Sequence, residues 1–135
     1  TPNAHGLAGL SAGLSYIEGI GVETLHEKVG ALAARFEAGV RDIEGVTVLG
    51  GHATQDRCGI VALNVGDVDA ALVADALARD WDICVRAGAH CAPLMHRALG
   101  TEEQGAVRFS FSSFTTEEEI DEGIEAVRAI AGGLL

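Results

Sequence analysis

Lysine is all but missing from this chain, and basic residues of any kind are scarce. Lys28 is the one lysine, and the nine Lys and Arg face twenty Asp and Glu, a formal net charge of -11. Phosphate binding needs clustered Lys and Arg, so nucleic acid is not an expected partner. Lys28 itself sits among charges in mid-helix, a poor setting for a Schiff-base amine. No apolar run approaches the roughly 18 residues of a membrane span, so no membrane partner is expected. Cysteine comes to three, an odd number, with no C-x-x-C spacing and no secretory pattern ahead of it. Free thiols in a reducing compartment, the cytoplasm, fit better than a disulfide framework. There is also no initiator methionine: the first residues are Thr1-Pro2-Asn3, and the expectation is an N-terminus made by processing or cutting.

What is present is enough for one domain with a real core: 135 residues, 48% of them hydrophobic. Thr1-Pro2-Asn3 suits a helix start, followed by Leu7, Leu10, Leu14 and Ile17 at helical spacing. Gly6, Gly9 and Gly13 are read as close-packing sites, since no strand precedes them to make a nucleotide loop. A second helix carries the stripe Leu25, Val29, Leu32, Phe36, Val40 and Ile43, with Glu27, Lys28, Glu37 and Arg41 off it. Val46–Leu49 reads as a strand and Gly50-Gly51-His52 as a turn. Gly59–Val65 reads as a strand covered on both faces. Asp67 is expected to cap a helix burying Val68, Leu72, Val73, Ala76 and Leu77. Ile83–Ala87 is a strand, Pro93–Leu99 a brief helix stopped by Gly100, and Ala106–Ser112 an alternating strand. Thr116 to Glu119 forms a capping box opening an amphipathic helix of Ile120, Ile124, Val127, Ala131 and Leu134. The expected fold is α+β, a small mostly antiparallel sheet with helices packed against it.

The chemistry concentrates in Val85-Arg86-Ala87-Gly88-Ala89-His90-Cys91-Ala92-Pro93 and in the strand Val107-Arg108-Phe109-Ser110. Cys91 follows a glycine turn, so it is expected to meet solvent, whereas Cys84 and Cys58 read as buried small hydrophobes within strands. A thiolate is the nucleophile, and neighbouring His or Arg favours it; His90 is adjacent and Arg86 close by. Arg108, on the non-apolar face of an interior strand, needs an anion. Either an acidic side chain of the chain supplies it, or a bound carboxylate does, in the bidentate geometry guanidinium offers. A metal site from Cys84, His90, Cys91 and His96 is conceivable by residue type, yet matches no zinc spacing, and no metal is expected. His5, His26 and His52 read as surface or capping residues.

The loop Val85–Pro93 resembles the active-cysteine loop of cysteine desulfurases, the class V branch of the pyridoxal-phosphate aminotransferase fold. Its Arg-x-Gly-x-His-Cys form is nearer the short-looped SufS-like group than the longer-looped NifS/IscS-like group. Val107–Ser110 resembles the strand bearing the family's substrate-carboxylate arginine, and Thr1-Pro2-Asn3 resembles its Gly-Thr-Pro segment. The resemblance implies a thiolate, Cys91, that takes sulfur from cofactor-bound L-cysteine as a persulfide and leaves alanine. It makes Arg108 the carboxylate clamp, Arg86 and His90 loop-shaping or proton-handling residues, and Thr1 a contact to a cofactor phosphate across a homodimer. The sulfur would pass on to an acceptor protein, as in iron–sulfur cluster assembly. The family's Schiff-base lysine, pyridine-nitrogen aspartate and ring-stacking histidine belong to a preceding large domain. The expectation is therefore a single small domain, residues 1–135, from the C-terminal end of a longer enzyme, inactive alone. Two other readings stay open: a stand-alone thiol or persulfide carrier, and another class V enzyme, such as an epimerase or lyase, in which Cys91 is incidental.

Overall fold

The computed structural model describes residues 1–50 and 58–133. In chain order the elements are α1 (Ala4–Ile20), α2 (Val22–Arg41), β1 (Val46–Val48), β2 (Ile60–Val65), α3 (Ala70–Trp81), β3 (Arg86–Gly88), α4 (Pro93–Leu99), β4 (Ala106–Ser110) and α5 (Glu117–Gly133). The four strands form one sheet in the order β1-β2-β4-β3, every neighbouring pair antiparallel. This is the expected α+β arrangement, and the element types follow the sequence reading. The turn at Gly51-His52 and the end of the last helix at Leu134 fall outside the described residues.

Alternation divides the sheet into two faces. Val61, Leu63 and Val65 of β2 and Val107 and Phe109 of β4 join one core with Leu32, Phe36 and Val40 of α2, Val73 and Leu77 of α3, and Ile120, Ile124 and Val127 of α5. Phe36, wholly buried, lies with its ring centroid 4.5 Å from that of Phe109 and 5.3 Å from that of Phe111. The opposite face is only partly covered. Ile60 is exposed and Ala62 half-buried, whereas Asn64 is buried where its Nδ2 donates to Gln104 Oε1 at 2.9 Å. The expected cover on both faces of β2 thus holds only at its end. No helix among the described residues is long and apolar enough to cross a membrane.

Several local expectations are corrected. Asp69, not Asp67, caps α3, its carboxylate accepting from Ala71 N at 2.7 Å. The chain is still turning at Asp67, with Val68 N–H donating to Val65 O, so the helix starts later. Leu72 is 58% exposed, because the buried face of α3 runs through Val73, Ala76 and Leu77. β3 begins at Arg86, and Cys84 and Cys58 both lie exposed just ahead of strands rather than buried within them. Glu37 is buried against its i+4 neighbour Arg41, because a desolvated carboxylate needs a cation. Gly9 and Gly13 have nothing packed on them, and α1 buries none of its residues.

α5 is fastened at its start by the expected capping box: Thr116 N–H donates to Glu119 Oε2 (2.8 Å) and Glu119 N–H to Thr116 Oγ1 (3.2 Å). Arg35 of α2 then clasps it, Nε and Nη2 donating to the two oxygens of Asp121 at 2.8 and 2.7 Å, and Nη1 to Glu117 at 2.9 Å. The hydrogen bond from Arg35 and its charge hold the Asp121 carboxyl below its ordinary range. A carboxyl with a depressed folded pKa stabilises above its ordinary pKa and loses that contribution as pH falls through the folded value. Asp121→Asn is accordingly expected to lower the urea midpoint at neutral pH, with the gap to wild type closing in strong acid. A gap that persists there contradicts the clasp.

Candidate functional site

β3 is held in antiparallel register with Arg86 opposite Arg108 and Gly88 opposite Ala106. Val107 and Phe109 enter the core, and Val85 and Ala87 pack against it, so Arg86 and Arg108 both emerge on the other face. Two like charges in directly opposed positions repel. Yet among the described residues neither guanidinium has an ion pair, although the chain carries twenty acids. Arg108 is half-buried, and its Nε is buried with no hydrogen-bond partner. Of the two anions that would answer Arg108, the internal acid is not the one this structure provides.

The loop after β3 brings the thiol to Arg86. Gly88 has a φ of 100°, and Gly105, at φ 72°, passes so close that a Cβ on it would sit 2.8 Å from Gly88 Cα. Only glycine meets both demands at position 105. His90 and Cys91 then adopt φ of 51° and 58°, a left-handed conformation sparsely used by residues with side chains. Arg86 serves the loop twice. Its carbonyl accepts from His90 Nε2 at 3.0 Å, and its Nη2 lies 3.8 Å from Cys91 Sγ. Cys91 is exposed, as its glycine-turn setting suggested. Pro93 then opens α4, whose C-terminal Gly100 is left-handed at φ 70°.

Three of the five singled-out residues thus meet, Cys91, His90 and Arg86, and Arg108 stands opposite Arg86 on the neighbouring strand. Thr1 is exposed ahead of α1, and no hydrogen bond or ion pair joins it to them. Among the described residues no cluster of three His, Cys, Asp or Glu is placed to hold a metal ion. Lys28 donates its Nζ to Ser113 O at 2.6 Å, pinning the β4–α5 turn. It is not part of the thiol cluster, so the described residues supply no Schiff-base anchor for pyridoxal phosphate. A cavity of about 450 Å³ opens between Trp81–Cys84 and α5, and none of Cys91, His90, Arg86 and Arg108 lines it.

The structure also shows a support that the sequence reading missed. Gln104 Nε2 donates to Gly66 O and Val68 O (2.8 and 2.7 Å), which leaves its Oε1 to accept from Asn64 and fastens the segment behind the loop to β2. His96, considered only as a metal ligand, is buried with its Nδ1 2.8 Å from Thr101 Oγ1. The signal available was a histidine one turn into a helix whose end, Gly100-Thr101, folds back on it.

This fold is shared with known proteins. Residues 1–122 match the aminotransferase class-V family, and the chain belongs to that family. It is 34% identical over 133 residues to a probable cysteine desulfurase of Methanothermobacter thermautotrophicus, a match covering 98% of this chain and 33% of that protein. Among solved structures, the apo cysteine desulfurase of Thermococcus onnurineus superposes with a TM-score of 0.90 at 33% identity, over 98% of this chain and 32% of that one. The cysteine desulfurase CsdA of Escherichia coli superposes at 0.85 with 27% identity, over all of this chain and 32% of that one. The chain therefore spans about a third of the length of the relatives it matches.

If Arg86 and Arg108 draw anions to Cys91, anionic iodoacetate should alkylate it faster, relative to neutral iodoacetamide, than it does free cysteine. With Cys58 and Cys84 replaced by Ser, the ratio should drop several-fold in Arg108→Met and Arg86→Met. It should also collapse in about 1 M salt, where the Debye length is near 3 Å. A ratio indifferent to both variants and to salt contradicts the anion site.

Proposed function

We propose that this chain is the sulfur-accepting C-terminal small domain of a cysteine desulfurase, residues 1–135 forming one part of a longer enzyme. The observation that carries the reading is a reachable thiol 3.8 Å from Arg86, which with its strand partner Arg108 has no ion pair among the described residues. The relatives named cysteine desulfurases support it. A free amino acid brings a carboxylate, which the Arg108 guanidinium grips in a bidentate fashion with Arg86 adding charge. In this reading that grip brings the substrate sulfur to Cys91.

In the transfer, the Cys91 thiolate supplies the electron pair of a new S–S bond. The Cβ–S bond of cysteine breaks, its pair stays with carbon, and a proton completes alanine while Cys91 becomes a persulfide. The electron sink for that pair would come from pyridoxal phosphate, whose Schiff-base lysine would belong to the rest of the enzyme. His90 moves protons only at Nδ1, because its Nε2 hydrogen is committed to the Arg86 carbonyl. The persulfide, exposed on its loop, is then passed to an acceptor protein serving iron–sulfur cluster assembly in the cytoplasm.

The surface of α1 supports the domain assignment. Leu7, Leu10, Leu14, Ile17 and Ile20 are 60, 61, 52, 38 and 39% exposed. A helix with so little of its apolar side buried gains little stability from packing, and an apolar patch of this kind is an interaction surface. The rest of the longer chain covers it in this account. In this reading Thr1, just ahead of α1, would contact a cofactor phosphate across a homodimer, as the family resemblance implies.

Cys91→Ser in the native-length protein is expected to abolish sulfide release from L-cysteine while the cofactor absorbance stays. Undiminished release removes Cys91 from its role. Arg108→Lys, which keeps the charge but loses the fork, should raise KM for cysteine roughly ten- to a hundredfold, the range of a hydrogen bond to a charged group. An unchanged KM removes the clamp.

A further inference from the structure

His96 is 1% exposed in the short helix that follows the thiol loop. Its Nδ1 is anchored on Thr101 Oγ1 at 2.8 Å. Its N–H donates to Ala92 O at 3.2 Å, and its carbonyl accepts from Thr101 N–H at 2.9 Å. Its Nε2 is buried and has no partner among the described residues. The imidazole meets the ring of His90 with centroids 6.1 Å apart and 34° between planes. His90 is thus restrained twice, at Nε2 by the Arg86 carbonyl and along its ring by a side chain that cannot move without leaving a hole. Two consecutive residues at φ 51° and 58° persist only where their surroundings over-determine them. The backbone bond from Ala92 N to Ala89 O at 2.9 Å and the Arg86 Nη2 contact to Cys91 Sγ at 3.8 Å act on the same loop.

We propose that His96 is a positioning residue for Cys91, acting through His90: the Thr101–His96 pair buttresses the His90 ring and so keeps the left-handed loop that holds the thiol beside Arg86. This rests on the reading of Cys91 as the reacting thiol, and the test includes a measurement independent of that reading. The native-length protein, with Cys58 and Cys84 replaced by Ser, is compared with His96→Ala, His90→Ala, the double variant and His96→Phe. Iodoacetamide alkylation of Cys91 is followed from neutral to alkaline pH, and sulfur release from cysteine gives kcat and KM.

His96→Ala should alter the pH profile of alkylation and reduce kcat roughly tenfold at little-changed KM, the size of one pairwise coupling. The double variant should be no slower than His90→Ala, and His96→Phe, which restores a ring against His90, should recover most of the loss. An unchanged profile and kcat with only a lower melting temperature overturns the proposal, as do losses that multiply in the double variant. Should His96→Ala fail to fold, Thr101→Val loosens the same ring; a smaller change in the same direction supports the role, and none overturns it. If wild type releases no sulfur but the alkylation profiles differ as expected, the proposed function fails and the positioning role stands.

Discussion

Everything around the site depends on one repulsion that the backbone enforces. Antiparallel pairing of β3 with β4 sets Arg86 against Arg108, and no acid among the described residues forms an ion pair with either. Opposed like charges on a sheet destabilise it, and a buried guanidinium nitrogen without an acceptor adds to that. The register cannot slip to relieve the strain, because a one-residue shift would turn Val107 and Phe109 out of the core and Arg108 into it. The sheet therefore holds an unanswered positive pair ready for an anion, with a thiol at its edge.

The rest of the structure secures that pair. The core of α2, α3 and α5 against β2 and β4 fixes the strands, Phe36 bridging to Phe109 and Phe111. The bidentate Arg35–Asp121 clasp and the capping box set α5 in place. On the other face, the Gln104–Asn64 bracket and the buried His96–Thr101 pair stiffen the segment that follows the thiol loop. α1 stacks Tyr16 on Phe114 at 5.8 Å between ring centroids yet leaves its apolar side chains largely exposed, which agrees with a chain spanning a third of its relatives' length.

Elements with strong periodicity were legible in the sequence. The stripe through Leu32, Phe36 and Val40, the alternation of Val107, Phe109 and Arg108, and the box at Thr116–Glu119 each express a repeat of the backbone itself. The reachable thiol was legible too, because glycine before His-Cys forces a turn. The exposure of Cys58 and Cys84 was not: it depends on where strands begin, and apolar neighbours do not mark a boundary. Asp67 and Asp69 both suit a cap, and only the turn back to Val65 decides between them. Register is long-range, so nothing local could set Arg86 against Arg108, and the burial of His96 came from Thr101 folding onto it.

In the proposed reaction sulfur lands on Cys91. Incubating the native-length protein with L-cysteine, trapping thiols rapidly and mapping peptides by mass spectrometry tests it directly. The account predicts one added sulfur on the Cys91 peptide, with Cys58 and Cys84 unmodified. Sulfur on either of those cysteines, or on none while alanine accumulates, contradicts it.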